Sequence, residues 1–412
     1  MKSPIIALSL IVATISTIYF YPSVNANPIK HQAISPPEQI SEPSPNTIVY
    51  PVISDKHQKK IEVVFVLDTT GSMSGLIQTA KNKIWSIAST MASAQPAPII
   101  KMGLVAYRDR GDDYITRVVD LSDDLDTNYG TLMSFQAGGG GDNPESVNKA
   151  LYDAVNNMSW SQDDNTYRVI FLVGDAPPQT QYKDEMQFPE IIELAQSKGI
   201  IVNTIQCGDM TVTTKPWKQI AKLGQGDFFQ VDQAGGAVAV TSPFDDKIAE
   251  LSRELDDTRL FYGDKKTKET KRRKVIASNS FNREASSSAI ARKAEFNVSS
   301  SGHRNFVGEN ELVDAISTGS VKLDSIQRNE LPDELQDLNH AEQTKVIKDK
   351  AQKRAELKQQ ISALSKKRSD YVLGAIAQSG ADKDSLDNQM YQSVKSQAKE
   401  IGLEYSDETP KY

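Results

Sequence analysis

The chain has 412 residues, a quarter of them charged, and a formal net charge of −7. That length holds one large or two ordinary domains, and the acidic balance excludes nucleic acid as the main partner, which calls for a basic face. A single cysteine, Cys207, excludes an intramolecular disulfide, and the four histidines (His31, His57, His303, His340) lie outside the stretch richest in strand patterns. A zinc site or a histidine general base is thereby excluded from that stretch.

Lys2 precedes a largely apolar run from Ile5 to Tyr21, and Val24 and Ala26 suit the −3 and −1 positions of a signal-peptidase site. Residues 1–26 therefore read as a signal peptide cleaved after Ala26, which makes the body secreted, periplasmic or displayed at the cell surface. The alternative is an uncleaved anchor, the one case in which the chain contacts a membrane; at about 17 residues the run is short for spanning. Residues 27–60 are polar and proline-rich and read as an extended linker.

From Ile61 to Tyr262 short apolar strand candidates alternate with helical patterns. The strands are Ile61–Leu67, Ile99–Tyr107, Ile115–Leu121, Arg168–Val173, Ile200–Gln206 and Asp227–Val231. The helices are Ser74–Met91, Leu125–Phe135, Pro144–Asn157, Pro189–Lys198, Pro216–Leu223 and Pro243–Leu260. Continuously apolar strands separated by helices predict an α/β fold, a doubly wound, mainly parallel six-stranded sheet covered on both faces. Cys207, in the apolar stretch "IIVNTIQCG", reads as a small buried residue.

From Gly263 to Arg304 the run "KKTKETKRRK" and a serine-rich stretch show little apolar periodicity and read as a basic, flexible linker. Residues 305–412 read as helical. Asn339 and Glu342 form a capping box, and Leu357, Ile361, Leu364 and Tyr371 fall at a and d spacing, too short a pattern for a coiled coil. A second helix carries Leu386, Met390, Val394 and Ile401 on one face, and the two helices are expected to pack as a hairpin.

The chemistry collects where strands end. In an open parallel sheet, ligands bind beyond the carboxyl ends at the point where the winding reverses, between the first and fourth strands of a 3-2-1-4-5-6 order. Asp68 ends the first strand in "DTTGSMS", and Asp175 follows the fourth in "FLVGDAPP". The loop "GGGGDNPE" adds Asp142 and Glu145. Asp68, Thr70, Ser72, Glu145 and Asp175 offer oxygen alone, which suits magnesium, manganese or calcium and suits zinc or copper poorly. Neutral hydroxyl ligands leave the metal positive, so an acidic group of a partner protein is able to complete its shell. The plainer reading has Asp68 and Ser72 capping a helix, which accounts for one oxygen and leaves Asp175 and the acidic loop unexplained.

The run "DTTGSMS" resembles the metal-ion-dependent adhesion site of von Willebrand factor A domains, usually written DxSxS, with Thr70 in place of the first serine. "GGGGDNPE" and "FLVGDAPP" are similar to the second and third loops of that site in the branch typified by integrin β-subunit I-like domains. The resemblance covers residues 61–262. It implies that Asp68, Thr70 and Ser72 form the first loop, Glu145 the second and Asp175 the third. It also raises a second, calcium-type ion at Asp109, Asp142, the Pro144 carbonyl and Glu145; the alternative has Asp109 paired with a neighbouring base. The implied function is metal-dependent protein binding or adhesion, with Met73 and Tyr107 adding contact surface. The competing reading is a magnesium-requiring, aspartate-dependent phosphatase or phosphotransferase. It lacks both the second acid or lysine that such enzymes place after the nucleophile and a basic group to offset phosphoryl charge.

Overall fold

The computed structural model of the chain describes residues 58–75, 77, 87–141, 144–231, 240–379 and 386–406. The expected signal peptide, most of the expected proline-rich linker, most of the first expected helix, and Asp142 lie outside the described residues.

Six strands form one sheet: β1 (Lys60–Asp68), β2 (Ile99–Tyr107), β3 (Thr116–Ser122), β4 (Thr166–Gly174), β5 (Ile200–Cys207) and β6 (Gln225–Val231), in the order β3-β2-β1-β4-β5-β6. All neighbours are parallel except β2 and β3. β1 is apolar on both faces because both are covered. Val64 and Val66 pack with Leu151, Ile170 and Ile191 on one side, and Val63, Phe65 and Leu67 pack with Leu132, Phe171 and Tyr391 on the other. Fully burying one such side chain contributes about 1.5–3 kcal/mol.

The helices are α1 (Leu125–Ser134), α2 (Val147–Asn156), α3 (Phe188–Ser197), α4 (Thr211–Leu223), α5 (Asp245–Asp256), α6 (Lys265–Glu284), α7 (Ser287–Val298), α8 (His303–Val307), α9 (Leu312–Ser317), α10 (Asp333–Gln336), α11 (His340–Ser379) and α12 (Leu386–Ala398). Residues 87–92 are also helical, and Gly71–Gly75 form a 3-10 turn directly after β1. Cys207 is buried as expected. Asn339 and Glu342 make the reciprocal capping bonds, at 3.0 and 2.9 Å. Among the described residues no helix is long and apolar enough to cross a membrane.

Two expectations are corrected. Residues 263–304 are not a flexible linker: α6 and α7 occupy most of them. The inward face of α6 carries Lys274, Ser278, Phe281 and Asn282, one helical stripe that is mostly polar. It meets buried carboxylates. Lys274 Nζ lies 2.6 Å from Asp124 and 3.4 Å from Asp126, and Lys293 Nζ lies 3.3 Å from both Asp126 and Asp256. Arg259 completes the group, 3.0 Å from Asp256. Burial alone raises the Asp126 pKa, but Lys293, Lys274 and Arg259 hold it below the usual carboxylate range.

The expected hairpin of the last two helices is also absent. α11 lies along α5, α7 and α9, whereas α12 packs beside β6. Met390, Tyr391 and Val394 share the apolar core that holds Phe65 and Phe171. The heptad pattern is not a seam either. Leu357 and Ile361 pack against Ile248, Leu251 and Phe306, and Tyr371 stands 47% exposed.

Candidate metal centre

The register of the sheet brings the first and third loops together. Asp68 pairs with Tyr107 across to β2, and Leu67 pairs with Val173 on β4, so Asp68 and Asp175 emerge side by side. The Asp68 side chain is folded back on its own loop. Its Oδ1 accepts from the Thr70 amide at 2.8 Å and from the Thr70 hydroxyl at 2.6 Å. Thr70 Oγ1 lies 3.1 Å from Ser72 Oγ. Ser72 then donates to Asp175 Oδ1 at 3.1 Å, across 103 residues of sequence. A helix cap would have turned Ser72 to a local amide; this hydroxyl joins two loops instead.

The glycine loop closes over the first. Gly138 donates to the Thr69 carbonyl at 3.1 Å, and Gly71 donates to the Gly139 carbonyl at 3.2 Å. Gly139 and Gly140 have φ of +71° and +72°, a left-handed pair that side chains rarely adopt. A Cβ at Gly140 would stand 3.4 Å from Thr70 Cβ and 3.5 Å from Glu145 Oε1. Glu145 is tied to the third loop by its amide to Pro177 O at 3.1 Å and by its carbonyl, which accepts from Gln179 at 2.8 Å.

Asp68, Thr70, Glu145 and Asp175 are buried, and Ser72 opens to solvent. Burial pushes the Asp68 carboxyl up to about 7, against the Thr70 hydrogen bonds and with the help of the Asp175 charge. Burial and then the charges of Asp68, Asp109, Asp112 and Asp175 push Glu145 up to about 9. Asp175 is raised as well, mainly by burial. Asp68 Oδ2 and Glu145 Oε2 are buried without a hydrogen-bond partner. Among the described residues no lysine or arginine pairs with these three acids. Arg108, the nearby guanidinium, donates to the carbonyls of Thr69 at 3.1 Å and Gln136 at 2.8 Å and so serves as a strut between loops.

Asp109 stands apart from this group. Its two oxygens accept from the hydroxyls of Ser146 at 2.6 Å and Tyr182 at 3.0 Å, which braces the Glu145 loop. Arg110, beside it, pairs outward with Asp184 and Glu185 at 3.0 and 2.6 Å. Pro144 is half-buried at the turn into Glu145. Met73 and Tyr107 are corrected: both are fully buried and present no contact surface. Sequence reasoning missed Arg108, Asp112 (which accepts from Gly140 N at 3.1 and 3.0 Å), Ser146 and Tyr182. Their roles depend on loops meeting in space, and no local spacing announces them. Among the described residues no three His, Cys, Asp or Glu side chains close on one point as an ion site by themselves.

Residues 62–242 match the von Willebrand factor A domain family model. This stretch of the chain is thus similar to the von Willebrand factor A domain, and a helical region that follows packs against it. Solved structures with similarity to the chain include proximal thread matrix protein 1 from the mussel byssus, at 14% identity over 43% of this chain and 42% of that one, TM-score 0.33. The same protein is also described with a zinc-occupied MIDAS motif, at 14% identity, 42% of each chain and TM-score 0.33. A von Willebrand factor type A protein from Catenulispora acidiphila matches at 16% identity over 42% of this chain and 39% of that one, TM-score 0.32. The chain thus spans about two fifths of the length of these proteins. No curated protein matches the chain significantly.

Proposed function

We propose that Asp68, Thr70, Ser72, Glu145 and Asp175 hold one divalent cation and that the chain uses it to grip a carboxylate of a protein partner. The observation that carries this reading is the pair of buried carboxylate oxygens, Asp68 Oδ2 and Glu145 Oε2, that have neither a hydrogen bond nor a paired base. Three acids gathered without a counter-charge are costly, and a bound cation offsets that cost. The all-oxygen donor set fits magnesium, manganese or calcium. The cation would supply a Lewis-acidic contact for the partner's carboxylate, while the chain's own part is to orient Asp68 through Thr70 and to join loops through Ser72.

The reading centres on one ion; Asp109, whose oxygens accept from the hydroxyls of Ser146 and Tyr182, braces the Glu145 loop beside it. It is read as a binding module; Arg108, the guanidinium beside the site, donates to the carbonyls of Thr69 and Gln136 and pairs with Asp113 at 3.4 Å. Export belongs to the same proposal and rests on the first 26 residues of the sequence. The test is calorimetric titration of the whole chain with magnesium, manganese and calcium beside the Asp68→Ala, Ser72→Ala double variant. The expected result is saturable binding of one ion to the wild type and none to the variant. Equal binding by both would overturn the reading.

A further inference from the structure

The underside of α6 is fixed. Lys274, Ser278, Phe281 and Asn282 are buried, and the Phe281 ring meets Tyr129 edge-on at 4.7 Å between centroids. Ala277 packs so closely on α1 that a Cβ at Gly130 would stand 2.9 Å from the Ala277 Cβ. The helix is therefore held with its opposite side outward. Lys265, Arg272, Ile276 and Arg283 form one line along that side, about 27 Å long, with Lys266 and Arg273 on its flank.

All five of these cations are exposed. Arg273 and Arg283 reach only the hydroxyls of Thr270 and Ser280 on their own helix, at 3.5 and 3.2 Å. Among the described residues the side chains of Lys265, Lys266 and Arg272 make no hydrogen bond or ion pair. Lys268 and Lys274, by contrast, pair with Asp333 and Asp124 at 3.2 and 2.6 Å. The acids of the helix are Glu269 and Glu284 alone, so this face is basic in a chain of net charge −7. Ile276 stands 53% exposed within it. One exposed isoleucine is ordinary by itself. Set between Arg272 and Arg283, it matches a surface that is anionic outside and apolar just beneath.

We infer that the outer face of α6 docks on an anionic phospholipid membrane, its cations among the head-group phosphates and Ile276 at the acyl boundary. The contact is peripheral and needs no spanning segment. It is independent of the metal centre and of the apolar run from Ile5 to Tyr21. A soluble polyanion would read the same charges, but it offers nothing to the isoleucine. Each cation near an anionic leaflet strengthens binding about fivefold, and salt weakens it.

The test is co-sedimentation of the whole chain with vesicles of phosphatidylcholine alone and of phosphatidylcholine mixed with phosphatidylglycerol, at low and high salt. Heparin binding is measured beside it. The variants are Arg272→Glu, Arg273→Glu together and Ile276→Ser; all three side chains are exposed, so the Tm should stay at the wild-type value. The wild type is expected to bind the anionic vesicles, to release them at high salt and to leave phosphatidylcholine alone. The double variant should lose about 25-fold or more in vesicle affinity. Ile276→Ser should lose about fivefold on vesicles and nothing on heparin. A wild type that binds both kinds of vesicle equally, or neither, overturns the inference, as does a double variant that binds like the wild type. Vesicle binding unchanged in Ile276→Ser, with heparin binding lost in the double variant, would assign the face to soluble polyanions and overturn the membrane reading.

Discussion

Arg368 Nε lies 2.7 Å from Asp245 Oδ1, with both side chains out of solvent. Asp245 opens α5, the helix that follows the sheet, and also accepts from the Ser242 amide and hydroxyl at 2.9 and 2.8 Å. Arg368 belongs to α11, 123 residues further on. Removing the arginine leaves a buried carboxylate without its cation, which costs about 3–5 kcal/mol. Arg368→Met should lower the stability of the whole chain by that order in urea denaturation. A loss below about 1 kcal/mol, the worth of a surface pair, would show that the two helices hold together without it.

The acidic site makes stability depend on pH in an unusual direction. Asp68 has an ordinary value of 3.8 and a folded value of about 7, and Glu145 rises to about 9. Between the unfolded and folded values the native protein keeps protons that the unfolded chain has lost, so stability falls as pH rises. The metal-free protein should lose on the order of 1–4 kcal/mol from pH 5 to pH 9. Divalent cation, which needs the ionised carboxylates, should restore more of it at pH 9 than at pH 5. Thermal unfolding at both pH values, with EDTA and with magnesium, checks the sign.

Asp68→Asn separates stability from binding. An amide oxygen still accepts from Thr70, and the repulsion with Asp175 and Glu145 is gone. The metal-free Tm should rise, by the equivalent of about 1–2 kcal/mol, and the magnesium-induced shift should vanish. A metal-free variant less stable than the wild type would show that another group compensates the Asp68 charge.

The basic run "KKTKETKRRK" offers a protease many bonds. A flexible linker would be cut there first, whereas in α6 those bonds are held in helix. Limited trypsin digestion should leave residues 265–274 uncleaved under conditions that spare the sheet. Lys293→Met, which strips a cation from Asp126 and Asp256, should cost about 3–5 kcal/mol and open the run to trypsin. Early cleavage of the wild type within the run would contradict the packed helix.

The sheet was legible because β1, β2 and β4 are apolar on both faces, a pattern that only a covered parallel sheet requires. Their order followed from the doubly wound topology, and the first and third loops followed from strand-end acids. The linker reading of residues 263–304 failed for a definite reason. α6 does have helical periodicity, but it is written in Lys274, Ser278 and Asn282, and a search for apolar repeats passes over it. What makes those residues inward-facing is Asp124, Asp126 and Asp256, far away in sequence. The hairpin failed similarly: Met390 and Val394 announce an apolar face, and nothing local says that the sheet, not α11, receives it. Tyr107 was misplaced because an aromatic at a strand end looks the same whether it turns outward or lies over a neighbouring glycine.

Phe65 and Phe171 on the sheet stack at 5.7 Å between ring centroids, in a core they share with Met390 and Tyr391 from near the other end of the chain. A minimal fragment cut after Tyr262, where the strands and their helices have all been made, would leave that part of the sheet bare. Bare apolar sheet invites self-association. A nascent chain passes through the same condition, with its strands complete and α12 still unmade. Early capture of that face by another chain is the misfolding hazard built into this order of synthesis.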